Sequence, residues 1–203
     1  MSAATSVAIT KNEDRTSWFL SQALSETRKH NVPFGRATTV NDMNLSVEIV
    51  DPSRTYDLRH QVLRPDRPFA ETIDDDAFAS AITFGLTEDG DPRILATATV
   101  YPEEPPPSYA PLVLLSKSYL PWRLRAVATD AQRRSEGLGR IMLNAIVDYI
   151  TETESALLWC NARINAQAFY AREGFLTYGT VFEVEHIGRH IVMYKAITKA
   201  QQG

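Results

Sequence analysis

Residues 133–150, RRSEGLGRIMLNAIVDYI, constrain this chain more than any other stretch. Leu138, Ile141, Met142, Ala145, Ile146, Tyr149 and Ile150 recur at three- and four-residue spacings. That period predicts an amphipathic helix of about four turns with one strongly buried face. Gly137 and Gly139 stand where this helix opens, and Arg134 precedes them in an R-x-x-G-x-G spacing. Glycines let the backbone turn tightly and aim several N–H groups at one point. The first helical turn adds unpaired donors and the positive end of its dipole. Arg133, Arg134 and Arg140 add positive charge. Such a loop suits a ligand bearing phosphate or pyrophosphate, although a plain structural turn accounts for two glycines equally well. Two common phosphate motifs fail on named residues. A Walker loop needs Lys where Arg140 stands, and a dinucleotide fingerprint needs glycine where Met142 stands, with an acid ending a next strand that closes on Cys160 and Asn161.

The surrounding pattern is mixed. SVEIVD, from Val47, reads as a first strand stopped by Pro52, and Ser53 as the cap of a helix through RTYDLRHQVL that Pro65 ends. AITFGLT and RILATATVY, joined by an acidic Gly-Pro turn, read as an antiparallel hairpin. Prolines at 102, 105, 106, 107 and 111 predict an extended surface loop. WRLRAVAT alternates, with Trp122, Leu124, Ala126 and Ala128 on one face and Arg123 and Arg125 opposite. ALLWCN reads as a strand covered on both faces. A short helix NAQAFYAREGF then closes at Gly174, with Asn165 as its candidate cap. LTYGTVFEVE and RHIVMYKAI, joined by HIG, form a final hairpin. The expected fold is α/β: a mixed, mostly antiparallel twisted sheet flanked by helices.

Composition narrows the function classes. The 203 residues carry 21 Lys+Arg against 25 Asp+Glu, a net charge of −4. No run approaches the roughly 18 apolar residues of a membrane span. An acidic balance disfavours nucleic acid as a partner, because phosphate backbones demand clustered cations. A single cysteine, Cys160, forms no internal disulfide and no cysteine-rich metal site, and its apolar surroundings predict an inert thiol. A reduced compartment, the cytoplasm, is the expected location, with no metal required. Residues 1–45, rich in Ser, Thr and Ala, read as an N-terminal extension in which Trp18, Phe19, Ala23 and Leu24 could form one helical patch. Residues 46–198 read as the functional domain and 199–203 as a tail.

The arginine-glycine loop, with its flanking strand and helix, resembles the acyl-CoA pyrophosphate loop of the GNAT N-acetyltransferase superfamily. LLWCNARINAQAFYAREGF is similar to that family's second signature, with Tyr170 four residues before Gly174 and Phe175. FEVEHIGRHIVMYK resembles the closing hairpin of a bacterial-type subgroup, and Leu58, Arg59, Val62, Leu63, Arg64 and Pro65 match that subgroup's opening helix. The resemblance runs from Val47 to Ile197 in four separated motifs. It implies the acyl-CoA N-acyltransferase fold, acetyl-CoA as co-substrate, and an N-acetyltransferase acting on an amine of a small molecule or an exposed amino group. A catalytically silent acyl-CoA sensor of the same fold is the alternative, and a homodimer stays open as an assembly.

The resemblance also implies roles. Val127, Ala128 and Thr129 would meet the pantetheine arm, and Arg134, Ser135, Glu136, Gly137, Leu138, Gly139 and Arg140 the pyrophosphate. Asn161 and Arg163 fall near the family's CoA-contacting asparagine, although the usual asparagine position is Arg163 here. Tyr170 corresponds to the general acid that protonates the departing thiolate, a role suited to a phenol, while its apolar helix face also reads as plain core. The strand before the loop lacks the glutamate many relatives use as base. Glu183, Glu185, His190 and His60 are then the candidates, with Glu183 and His190 carried forward. Asp74, Asp75 and Asp76 read as a solvated acidic run, and the excess of acid favours a cationic amine as second substrate.

Overall fold

The computed structural model describes residues 34–40, 42–73, 80–116, 119–152 and 155–198. The patch at Trp18–Leu24, the acidic run at 74–76 and the tail at 199–203 lie outside the described residues. Among the described residues eight strands form one sheet, β1 (Gly35–Val40), β2 (Met43–Ile49), β3 (Ile82–Glu88), β4 (Asp91–Pro102), β5 (Leu120–Thr129), β6 (Ser155–Arg163), β7 (Leu176–Val184) and β8 (Gly188–Thr198), in the spatial order β1-β2-β3-β4-β5-β6-β8-β7. Every pairing is antiparallel except β5 with β6. The mixed, mostly antiparallel sheet expected from the pattern is the one found.

The sheet begins earlier than Val47. GRATTV, within the stretch read as an extension, pairs along β2 as an edge strand. Its half-buried Thr38 and exposed Thr39 satisfy strand geometry without an apolar stripe, so periodicity gives no signal. The first helix also starts differently. Asp51, not Ser53, is the cap: its carboxylate accepts from Ser53 N at 2.9 Å and opens a 3-10 turn, Pro52–Thr55, before α1 (Tyr56–Leu63). A short α2 (Ala70–Ile73) follows. The proline stretch is not loop throughout. Ala110–Ser116 is a helix, α3, with Leu112 fully buried.

The long helix α4 (Leu138–Thr151) buries Leu138, Met142, Leu143, Ala145, Ile146 and Ile150 on the sheet. Each large apolar side chain so covered stabilises the fold by about 1.5–3 kcal/mol. The same core includes Leu45, Phe84, Val100, Leu124, Leu158, Cys160, Ala162 and Met193. A 3-10 turn, Ile164–Ala166, leads into α5 (Gln167–Arg172). Asn165 lies within that turn, and α5 has no side-chain cap at its start. Its other end is well held. Gly174 adopts φ +81° and Lys195 Nζ donates to Glu173 O at 2.8 Å.

Candidate active site

The parallel pair β5–β6 is short. Leu120–Arg123 lie beside Ala156–Trp159, and no pairing joins the strands beyond them. Past that point β5 stays on β4, and β6 stays on β8 out to Arg163 and His190. The two strands therefore part, and one edge of each faces a gap. A bulge sharpens the opening. Thr97 pairs with Ala128 but Thr99 with Arg125, so Ala126 and Val127 stand opposite the single residue Ala98. Ala126 takes φ +51°, rare for alanine. The bulge also breaks the alternation expected of WRLRAVAT: Val127, rather than Ala126, packs on the core cluster with Trp122 and Leu124.

The glycine loop stands at the end of β5. Asp130 accepts from Gln132 N at 2.9 Å and closes a 3-10 turn, Ala131–Arg133. Ser135 and Gly137 both take left-handed backbone, at φ +69° and +84°. Gly137 is the N-cap of α4 and no side chain caps the helix. Its first N–H groups thus remain open to an anion. Arg134 and Arg140 are exposed beside them. Arg133 is otherwise engaged, on Glu136 at 2.7 Å and Glu88 at 3.1 Å. Gly139 serves packing as well as the turn: a Cβ there would lie 3.2 Å from Phe169 Cζ and 3.6 Å from Thr129 Oγ1.

The two faces of the gap carry different groups. Leu158, Cys160 and Ala162 belong to the core under α4, so Trp159, Asn161 and Arg163 point to the opposite face. Tyr170 lies on the α4 side, 6% exposed, its ring edge-on to Phe169 and Phe175. Burial, and then Cys160, hold its phenol well above the ordinary value, so it keeps its proton. Cys160 is itself pushed up to about 12 by burial, with Arg123 opposing, and lies buried among the apolar neighbours its sequence surroundings predict.

Across the sheet, Arg163 and His190 are cross-strand partners and so share a face. Arg163 Nη2 donates to Leu63 O at 2.5 Å, tying the end of β6 to α1. This bond gives its guanidinium a protein partner at the position read as a CoA contact. Burial, then Arg64, press its pKa downward, so two arginines share this corner. His190 is buried, with Nδ1 2.7 Å from Gly188 O and its ring against Phe182. The carbonyl can only accept, so Nδ1–H donates, and in the neutral ring the lone pair lies on Nε2. Glu183 pairs with Arg189, one register position from Phe182–His190, and therefore faces away from His190; it is exposed. His60 Nε2 bonds to Arg67 O at 2.8 Å and Glu185 is exposed.

The residues at the gap suit an acyl-CoA. Asn161 Oδ1 is buried and without a hydrogen-bond partner among the described residues, on the part of β6 that β5 leaves. An amide N–H of a pantetheine-like arm would satisfy it. A concavity of about 790 Å³ lies elsewhere, beside β1, β2 and the β3–β4 turn. Its rim bears Glu48, Glu88, Asp89 and Asp91, which repel phosphate, so the gap rather than this concavity is the candidate site. Among the described residues no group of acidic, cysteine or histidine side chains could hold a metal, and no helix is long and apolar enough to cross a membrane.

Residues 114–197 match the family model described as an acetyltransferase (GNAT) domain. An uncharacterised N-acetyltransferase of Bacillus subtilis, YitI, is 29% identical over 154 residues, covering 75% of this chain and 97% of its own. Among solved structures, the ribosomal-protein-S18-alanine N-acetyltransferase of Escherichia coli superposes with a TM-score of 0.56 at 20% identity, over 78% of this chain and 97% of that one. An aminoglycoside 6'-N-acetyltransferase complexed with coenzyme A gives 0.54 at 13% identity, over 74% and 96%.

Proposed function

We propose that this chain, an acyltransferase carrying a GNAT acetyltransferase domain, moves an acetyl group from acetyl-CoA to a primary amine of a small molecule or an exposed amino group. The observation that carries the reading is the parting of β5 and β6, together with the uncapped start of α4 that follows the end of β5 in the chain. Acetyl-CoA supplies the activated thioester. Val127, Ala128 and Thr129 offer backbone groups along the open β5 edge, and Asn161 Oδ1 an acceptor across the gap. The N–H groups from Ser135 to Arg140 and the Arg134 and Arg140 side chains face the pyrophosphate. Holding donor and acceptor together in one gap is worth roughly 7–11 kcal/mol of barrier.

Two proton-handling groups lie on opposite faces. Tyr170, kept protonated by burial, is assigned the role of giving its proton to the leaving thiolate. His190, whose neutral ring carries its lone pair on Nε2, is the better base, since Glu183 points away. The His190 face also bears Arg163 with Arg64 beside it, which favours an acceptor carrying a carboxylate or phosphate near its amine over the simple cationic amine expected from overall charge.

Free-thiol release from acetyl-CoA, measured with amino acids, phosphorylated amines, aminoglycosides and polyamines, tests this. Release with an anion-bearing amine, abolished in His190→Ala, is the expected result. CoA binding without thiol release on any amine would support the silent sensor, a reading favoured by the lack of any acid on β5.

A further inference from the structure

A carboxylate inside an anion-binding loop requires explanation. Glu136 sits between the two left-handed residues Ser135 and Gly137, at the point where the α4 donors would meet the phosphates. Unneutralised, it would repel that ligand. Its Oε2 instead receives Arg133 Nε at 2.7 Å. The same guanidinium donates to Glu88 Oε2 at 3.1 Å, at the end of β3, and lies 2.9 Å from Met43 Sδ on β2. All three charged side chains are about a quarter to a third exposed, so the cluster is shielded but still wet. Arg133 thus spends its donors on the protein, and its pKa is raised by the bonds to Glu136 and then Glu88.

We propose that Arg133 is a positioning residue: it acts on acetyl-CoA through Glu136, cancelling that carboxylate and pinning the loop to β2 and β3, and does not itself hold the phosphates. The inference rests on the acyl-CoA reading of the loop. It differs from the simpler expectation that Arg133, Arg134 and Arg140 all contribute direct charge.

The test is a double-mutant cycle on the full chain (Arg133→Gln, Glu136→Gln and both), reading the dissociation constant for CoA by titration calorimetry and the KM for acetyl-CoA; Glu136→Gln alone should tighten CoA by less than it does in the Arg133→Gln background. Arg133→Gln exposes the Glu136 carboxylate to the pyrophosphate and should weaken CoA about tenfold, the scale of one unscreened charge near a dianion. Arg133→Gln/Glu136→Gln removes the offending charge and should bring affinity back to within about threefold of wild type. kcat should move far less than KM in the single variant. A double variant as weak as Arg133→Gln alone overturns the proposal, because a direct phosphate ligand, or a purely structural strut to Glu88, is not rescued by neutralising Glu136. A wild-type chain that binds no CoA overturns the acyl-CoA reading and the proposal with it, whereas CoA binding without rescue overturns the proposal alone.

Discussion

Replacing Gly137 by alanine isolates the part of the loop that rests on backbone conformation alone. Gly137 has φ +84° and ψ +2° as the N-cap of α4. The space around it is open, since a Cβ would find only Arg140 Nη2, at 3.8 Å. Crowding therefore contributes nothing, and the cost is that of holding an L-residue in the left-handed region, about 1–2 kcal/mol. For a domain of this size each kcal/mol lowers Tm by roughly 2–4 °C, so a fall of about 2–8 °C is expected in thermal unfolding without ligand. Asparagine tolerates this region better than alanine, and Gly137→Asn should lose less. If the alanine variant instead relieves its strain by rotating φ, the N–H groups of Leu138 and Gly139 turn from the gap, and CoA affinity falls. An unchanged Tm together with unchanged CoA affinity in Gly137→Ala would refute the reasoning, as would an asparagine variant as unstable as the alanine one.

Three further outcomes follow from other contacts. Gly139→Ala should destabilise by about 1 kcal/mol, the crowding against Phe169 outweighing any helical gain, and the loss should vanish in a Phe169→Leu background; equal loss in both backgrounds would exclude the contact. Tyr170→Phe should lower kcat by about 100-fold or more, with CoA affinity nearly unchanged, and undiminished turnover would remove Tyr170 from the chemistry. Cys160 is held neutral up to about 12 in the folded chain but ionises near 9 when unfolded. The unfolded state thus sheds its proton first, so this residue's contribution is intact below pH 9 and is lost above it, by about 1.4 kcal/mol per pH unit until about pH 12. Denaturant titrations at pH 8 and 10 should show a steeper decline in wild type than in Cys160→Ala.

Much of the site was legible because its signals are local. The spacing of Leu138, Met142, Ala145 and Ile146 is a property of one helix, and Gly137 and Gly174 mark helix ends wherever they occur. Glu183 and His190 both lie on the last hairpin, and local pattern alone does not say which of them faces the gap. Register separates them: His190 shares a face with Arg163, while Glu183 lies one position out of phase with it. Arg133 and Arg134 are likewise adjacent in sequence, but Glu88 and Met43, far away in the chain, decide that Arg133 is engaged. β1 leaves no mark in the sequence because an edge strand with little to bury needs no apolar alternation.

The sequence by itself determined the helices α1, α4 and α5, the β3–β4 and β7–β8 hairpins and the glycine-rich turn before α4, since each depends on residues within a few turns of one another. Only the tertiary structure decided where β5 leaves β6, which edge Asn161 presents to the gap, and which charges remain available to a ligand. Those outcomes depend on the bulge at Ala126, on the insertion of β8 between β6 and β7, and on pairings across tens of residues, where hydrogen-bond registry rather than local periodicity sets the geometry.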